Sequence, residues 1–467
     1  MEHIVFLTGR LAEPALRRVL AQIAPAGSEA PFSWEVREIG LQVAALMTAE
    51  MVRRRVAAPV AADRILLPGR CRGDLAALSA HFGLPVQRGP EELKDLPQFF
   101  RRQAQPVDLE SYAIRIFAEI VDAPRLPVEA IVERARSFAA DGADVIDLGG
   151  LPDTPFPHLE DSVRALKAQG FRVSVDSQDA QELLRGGRAG ADYLLSLTLD
   201  TLWIADEVAS VPVVIGRHPA DEASLWQAVE RMQASGRPFL ADAILDPIPY
   251  GLLASLVRYQ RLRERFPQAA ILMGVGNLTE LVEADTSGIN AVMMGIAAEL
   301  GASAILTTQV SPHARRAVRE ADWARRIMHA AVSQQLLPKG LSDQLMTVHA
   351  KSPFPDAPEE IEARARAVRD PNFRVQVSQQ GVHVYNREGL HVAQDPFALW
   401  PRLRLENDGG HAFYLGVETA RAQIAWQLGK RYVQDQPLDW GCAVERERED
   451  LLRWKAPGTT MTNKGQP

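Results

Sequence analysis

From Tyr112 to about Gln335 the chain alternates short apolar runs with stretches whose apolar residues recur at helical spacing. The runs are YAIRIFAEIV (112–121), ADVIDLGG (143–150), FRVSVD (171–176), ADYLLSL (191–197), VPVVIGRH (211–218), FLADAILD (239–246), AILMGVGN (270–277) and ASAILTT (302–308). Their length and apolar character predict buried strands, whereas VEAIVERARSFAADG and SLWQAVERMQASG predict amphipathic helices. Eight strand-then-helix units in succession predict a (β/α)8 barrel. Such barrels place their chemistry at the C-terminal ends of the strands. Those ends carry Glu119, Asp147, Asp176, Ser196, Arg217, His218, Asp246, Asn277 and Thr308.

The pattern changes on either side. Over residues 1–107, HIVFLTG, WEVREIG and ADRILLPG read as strands, with LAEPALRRVLAQI, LQVAALMTAEMVRRRV (41–56) and GDLAALSAHFG as helices. That alternation predicts a small α/β domain with a mainly parallel sheet. TGR (8–10) and PGR (68–70) fall at its strand ends, where a ligand site and plain turn chemistry are both readings of the glycines. The barrel domain is expected over 108–337. After a stretch rich in Pro and charge (338–371), FRVQVS and GVHVYN predict a hairpin, REGLHVAQ a third strand and residues 411–433 a helix. An α+β domain is therefore expected over 338–455, with a polar, disordered tail over 456–467.

Composition narrows the function classes. The chain has 467 residues, 46% hydrophobic and 24% charged, with a net charge of −7 and no basic stripe, which argues against nucleic acid. No apolar run reaches a membrane span, and MEHIVFLTGR lacks a secretory pattern, so no membrane partner and a cytoplasmic location are expected. Cys71 and Cys442 are too few for a disulfide framework or metal cluster and read as buried thiols.

The strand-end acids carry the chemistry. Asp176 in VDSQDAQELL reads as well as a helix cap as it does as a site residue. Asp147 is separated from the next helix by Gly149, Gly150 and a Pro-rich loop, and Asp246 is followed by DPIPYG, so capping suits neither. A carboxylate at a barrel mouth needs donors, and an N–C–NH2 edge, as in a pterin ring, supplies two in parallel.

These residues resemble a known family. GADVIDLGG (142–150) is similar to the GAxIIDIGG element of dihydropteroate synthases, RVSVDS (172–177) to their ISVDT strand and AILDP (243–247) to their LDPG. The resemblance implies pterin contacts from Asp147, Ser196 (where the family has Asn) and Asp246, with Asp176 among the catalytic carboxylates. It departs where the family carries Ser-Arg-Lys after strand seven, here GVGNLTEL with Asn277, and Arg-x-His after strand eight, here TTQVSPHARRAVRE. The first-strand Asn is absent too, and Glu119 or Asp122 stands near its place.

The three-part chain as a whole resembles dihydropteroate synthase-related proteins of methanogenic archaea and C1-oxidising bacteria. That implies a role in tetrahydromethanopterin metabolism: a dihydropterin diphosphate ionises, and the arylamine of a ribofuranosylaminobenzene phosphate attacks the exocyclic methylene. Asp147 or Asp176 would stabilise positive charge. Arg217, His218 and Arg315, with Mg2+ if needed, would take the diphosphate near Thr307 and Thr308, where a helix N-terminus also favours anions. Two solvated helix arginines at 315 and 316, and a core histidine at 218, are the plain alternatives. A pterin-dependent methyltransferase or a non-catalytic pterin binder competes, with Asn277 as its best support, and so does a structural or assembly role. A homo-oligomer is expected.

Overall fold

The computed structural model describes residues 1–445 apart from 26–30, 92, 105–107 and 336, so the tail expected over 456–467 lies outside the described residues. The chain divides into two compact units. One contains Met1–Val107 with His349–Leu438, and the other Asp108–Val348 with Asp439–Glu445.

The first unit holds two sheets. Strands β1 (His3–Thr8), β2 (Ser33–Glu38), β3 (Arg64–Leu67) and β4 (Val86–Arg88) form a parallel sheet in the order β2-β1-β3-β4. β4 has no counterpart in the sequence reading. It is a three-residue edge strand with one buried residue, too short for periodicity to register. The helix expected over 41–56 is shorter than its pattern. Thr48 is extended and accepts a hydrogen bond from the Met51 amide, so the α-helix starts at Ala49 and ends at Arg55, with a 3-10 turn over Ala44–Leu46 before it. Gly9 and Gly69 serve packing, since a Cβ on Gly9 would lie 2.8 Å from the Ala44 nitrogen and one on Gly69 2.5 Å from the Pro90 carbonyl carbon. The second sheet is an antiparallel meander, β13 (Arg374–Ser378), β14 (Gly381–Asn386) and β15 (Gly389–Ala393), covered by the helix Gly409–Leu428. Arg431 binds both carboxylate oxygens of Asp95 at 2.8 Å, so the two halves of this unit share an ion pair.

The second unit is a closed eight-stranded parallel barrel, as the eight βα repeats predict. Its strands are β5 (Arg115–Ile120), β6 (Val145–Gly149), β7 (Val173–Asp176), β8 (Tyr193–Leu197), β9 (Val211–Val214), β10 (Leu240–Ala241), β11 (Ala270–Gly274) and β12 (Ala304–Thr308). β12 closes on β5 from Ala304↔Arg115 to Thr308↔Glu119. Because strand residues alternate in direction, each strand feeds two cores. Phe117, Val145, Tyr193, Leu195, Val213, Leu240, Leu272 and Ala304 fill the barrel interior. Ile116, Ala118, Ile146, Leu148, Val173 and Val175 face the helices. Burying one such aliphatic side chain stabilises the fold by about 1.5–3 kcal/mol.

The candidate functional site at the barrel mouth

The interior layer predicts what lines the mouth. Two residues beyond interior Phe117 comes Glu119, two beyond Val145 comes Asp147, and two beyond Leu240 comes Asp242. Asp176 ends β7, paired with Gly149 on one side and Leu195 on the other. Glu119, Asp147 and Asp176 each offer a carboxylate oxygen within 4.8 Å of the others. Gly149 makes this approach feasible, because a Cβ there would sit 2.5 Å from Glu119 Oε1.

Two serines orient the aspartates. The Ser174 hydroxyl donates to Asp147 Oδ1, and the Ser196 hydroxyl donates to Asp176 Oδ1 at 2.8 Å. Strict alternation from Leu195, which faces the interior, would aim Ser196 at the helices and Leu197 inward, but Leu197 lies in the outer core. The register of β8 on β9 shifts between Leu194 and Leu197, and Ser196 takes φ 69°. That irregularity re-aims the hydroxyl into the mouth, a familiar use of bulges beside sites.

Burial raises the proton affinity of all three acids, and the charge of neighbouring acids adds to it at Glu119 and Asp147. Burial, then the charge of Asp176, pushes the Glu119 carboxyl up to about 7. Burial, then Asp176 and Glu119, holds Asp147 well above the usual carboxylate range against the opposing Ser174 hydrogen bond. Asp176 is raised by burial and opposed by Ser196. Asp147 is fully buried, and its Oδ2 has no hydrogen-bond partner.

The loop after β10 differs from the sequence expectation. FLADAILD reads as one strand ending at Asp246, but β10 stops at Ala241 and Ile244 adopts φ 59°, which strains a β-branched residue. The cause is visible in the contacts. Arg258, from the helix Leu252–Arg265, donates to the Ala243 and Ile244 carbonyls at 3.2 and 2.7 Å and to Asp246 Oδ2 at 2.8 Å. The donor that Asp246 needs is thus this protein-supplied arginine. Asp242, which sequence reasoning missed, is the strand-end carboxylate. It accepts from Tyr259 Oη and from the Ile244 amide, and burial pushes its carboxyl up to about 6 against those hydrogen bonds, with Asp176 also raising it. The available signal was its parity with Leu240 in the two-residue alternation.

The remaining expected residues lie as follows. Arg217 is exposed and ion-paired to Asp200 at 3.0 Å, and His218 is exposed rather than a core histidine. Asn277 donates to the Leu245 carbonyl at 2.6 Å, tying the turn after β11 to the loop after β10. Thr308 donates to the Glu119 carbonyl at 3.2 Å, bracing β12 against β5. Thr307 is fully buried with its hydroxyl unpartnered, and alternation from Leu306 turns it toward the helices. Arg315 is exposed and donates to the Pro312 carbonyl at 2.9 Å. Glu119, Asp147, Asp176 and Ser196 therefore form one cluster, whereas Arg217, Asn277 and Arg315 have partners elsewhere.

Residues 2–91 match the model of a family of unknown function, DUF6513. Over 372 residues the chain is 27% identical to the uncharacterized protein MJ0107 of Methanocaldococcus jannaschii, covering 70% of each chain. Among solved structures, a Yersinia pestis dihydropteroate synthase with a pterine-sulfa conjugate is 19% identical and covers 49% of this chain and 95% of its own, at a TM-score of 0.38. A Thermus thermophilus dihydropteroate synthase in complex with 6HMPPP is 21% identical, covering 49% and 96%, at a TM-score of 0.37. Likenesses of this size leave the functional argument to the residues of the barrel mouth.

Proposed function

We propose that the barrel mouth binds a pterin and that the chain is a dihydropteroate synthase-like transferase. The observation that carries this reading is the convergence of Glu119, Asp147 and Asp176, with a buried Asp147 oxygen still lacking a donor. Such a site favours a ligand rich in N–H donors or positive charge, and the pyrimidine edge of a pterin offers parallel donors. The finer reading, taken from the family resemblance, is condensation of 6-hydroxymethyl-dihydropterin diphosphate with a ribofuranosylaminobenzene phosphate in tetrahydromethanopterin biosynthesis. As the C–O bond to diphosphate breaks, positive charge spreads from the methylene over the ring, and Asp147 or Asp176 stabilises it electrostatically. The arylamine nitrogen then forms the new C–N bond and releases a proton. Mg2+ enters this reading as the companion of the departing diphosphate. The reading also carries a cytoplasmic homo-oligomer with small-molecule partners only.

One observation favours a second reading. Arg217 is held by Asp200 and Arg315 by the Pro312 carbonyl, so two of the three basic groups expected to receive diphosphate have other partners. A pterin-dependent methyltransferase or a plain pterin binder needs no diphosphate site. The test is incubation of the purified protein with dihydropterin diphosphate and the arylamine phosphate. Diphosphate release that requires both substrates supports condensation. Tight pterin binding without turnover supports the second reading, and no pterin binding rejects both.

A further inference from the structure

The acid cluster has the geometry of a cation site. Oxygen ligands around one divalent ion lie about 2.0–2.6 Å from it, hence within roughly 5 Å of each other. The three carboxylate oxygens of Glu119, Asp147 and Asp176 meet that condition, all lying within 4.8 Å. A second observation points to an occupant. Asp147 is fully buried, one of its oxygens accepts from Ser174, and the other, Oδ2, is sealed from water with no donor. Leaving a buried carboxylate oxygen unmatched is costly, and a cation removes that cost.

The surroundings are those of ligating carboxylates. Ser174 fixes Asp147 and Ser196 fixes Asp176, each through Oδ1, which leaves the second oxygen of each aspartate for an ion. Gly149 keeps the space into which Glu119 Oε1 reaches. All three side chains are hard oxygen donors, without His or Cys, which selects Mg2+ or Mn2+ over softer metals.

We propose that Glu119, Asp147 and Asp176 hold a divalent cation of this hard class, bound by the protein itself with no diphosphate present. This goes beyond the pterin reading, in which the metal only accompanies a substrate. The same Asp147 oxygen carries the pterin reading, so at that atom a cation and a ligand N–H are alternatives, and separate titrations with metal and with pterin distinguish them.

The test uses the full chain stripped with chelator and titrated with Mn2+ alone, followed by electron paramagnetic resonance, and with Mg2+ alone by calorimetry, near pH 8. One site per chain is expected. Ser174→Ala lowers affinity about 10–100-fold, and Glu119→Gln and Asp147→Asn lower it further. Asp246→Asn, outside the cluster, leaves it unchanged. Should Asp147→Asn fail to fold, the partly exposed Glu119→Gln decides alone. Absence of a Mn2+ site in the wild type, or a site indifferent to Glu119→Gln, overturns the proposal. Pterin titration of the same samples is a separate measurement, so loss of the cation inference and loss of the pterin reading remain distinguishable.

Discussion

Asp242 and Asp246 sit four residues apart, and their environments give them opposite roles. Asp242 has its folded-state carboxyl raised from 3.8 to about 6, mainly by burial. The sign follows from that direction. The fold binds the proton more tightly than the unfolded chain, so the contribution is fully present below about pH 4 and is lost as pH rises through about 6. At 1.36 kcal/mol per unit, the loss approaches roughly 3 kcal/mol. Asp242→Asn keeps the neutral form at every pH. Its urea stability relative to wild type should therefore improve by up to about 3 kcal/mol between pH 4 and pH 7.5. A difference that stays flat across that range removes the buried-carboxyl account. Asp246 behaves otherwise, because its side chain is paired with Arg258, whose own side chain is only 10% exposed. Asp246→Ala should cost about 2 kcal/mol of stability, the scale of a charged hydrogen bond, with little change in pterin affinity. The motif AILDP drew attention to Asp246, while Asp242 lay unread in the same run. What hid it is tertiary: Arg258 gathers the carbonyls of Ala243 and Ile244 and stops the strand early.

At the scale of single elements, the helical and two-residue periods carried most of the barrel, because each βα unit must bury one face and repeats the demand eight times. The features they missed are breaks in period imposed from outside the element. Thr48 caps a helix that its apolar spacing would have started earlier, and β8 shifts register so that Ser196 joins Asp176. A polar residue of ordinary type marks neither event in the sequence. DLGG, by contrast, set a pair of glycines at a strand end, and the approach of Glu119 to Gly149 explains why a glycine belongs there. Gly149→Ala places a Cβ 2.5 Å from Glu119 Oε1. The far end of a glutamate can swing aside, so the stability cost should stay below about 1 kcal/mol, within the range of mild substitutions. Ligand binding at the mouth should suffer far more, because the displaced carboxylate leaves the cluster. Calorimetric titration of pterin and of Mn2+ beside a thermal melt separates the two effects. Equal binding in wild type and Gly149→Ala would show that the Glu119 position is immaterial.

On the scale of the molecule, the chain leaves the barrel unit at Val348 and returns to it over Asp439–Glu445. This return was not legible in the sequence, since the segment is short and carries no periodicity of its own. Several contacts attach it. The Cys442 amide donates to the Gln344 carbonyl at 2.8 Å, Arg319 reaches Glu445 at 3.8 Å, and Gly441 packs against the Gln344 carbonyl with φ 55°. A Cβ on Gly441 would fall far inside contact distance of that carbonyl oxygen, and here the obstacle is backbone rather than a movable side chain. Left-handed φ adds a further cost of about 1 kcal/mol for alanine. Gly441→Ala should therefore detach the returning segment while the eight-stranded sheet, which does not depend on it, stays closed. Cys442 reports the event. Both cysteines are buried, with Cys71 pushed up to about 11 and Cys442 to about 12 by burial, so neither thiol offers thiolate to a reagent in the native protein. Native wild type should show no fast-reacting thiol with an aromatic disulfide reagent, and Gly441→Ala should show one, with pterin binding at the barrel mouth intact. A variant that still hides both thiols would mean the segment is held by more than the Gln344 contact. A variant that exposes both would mean the damage has spread beyond the barrel unit, because Cys71 belongs to the core of the other one.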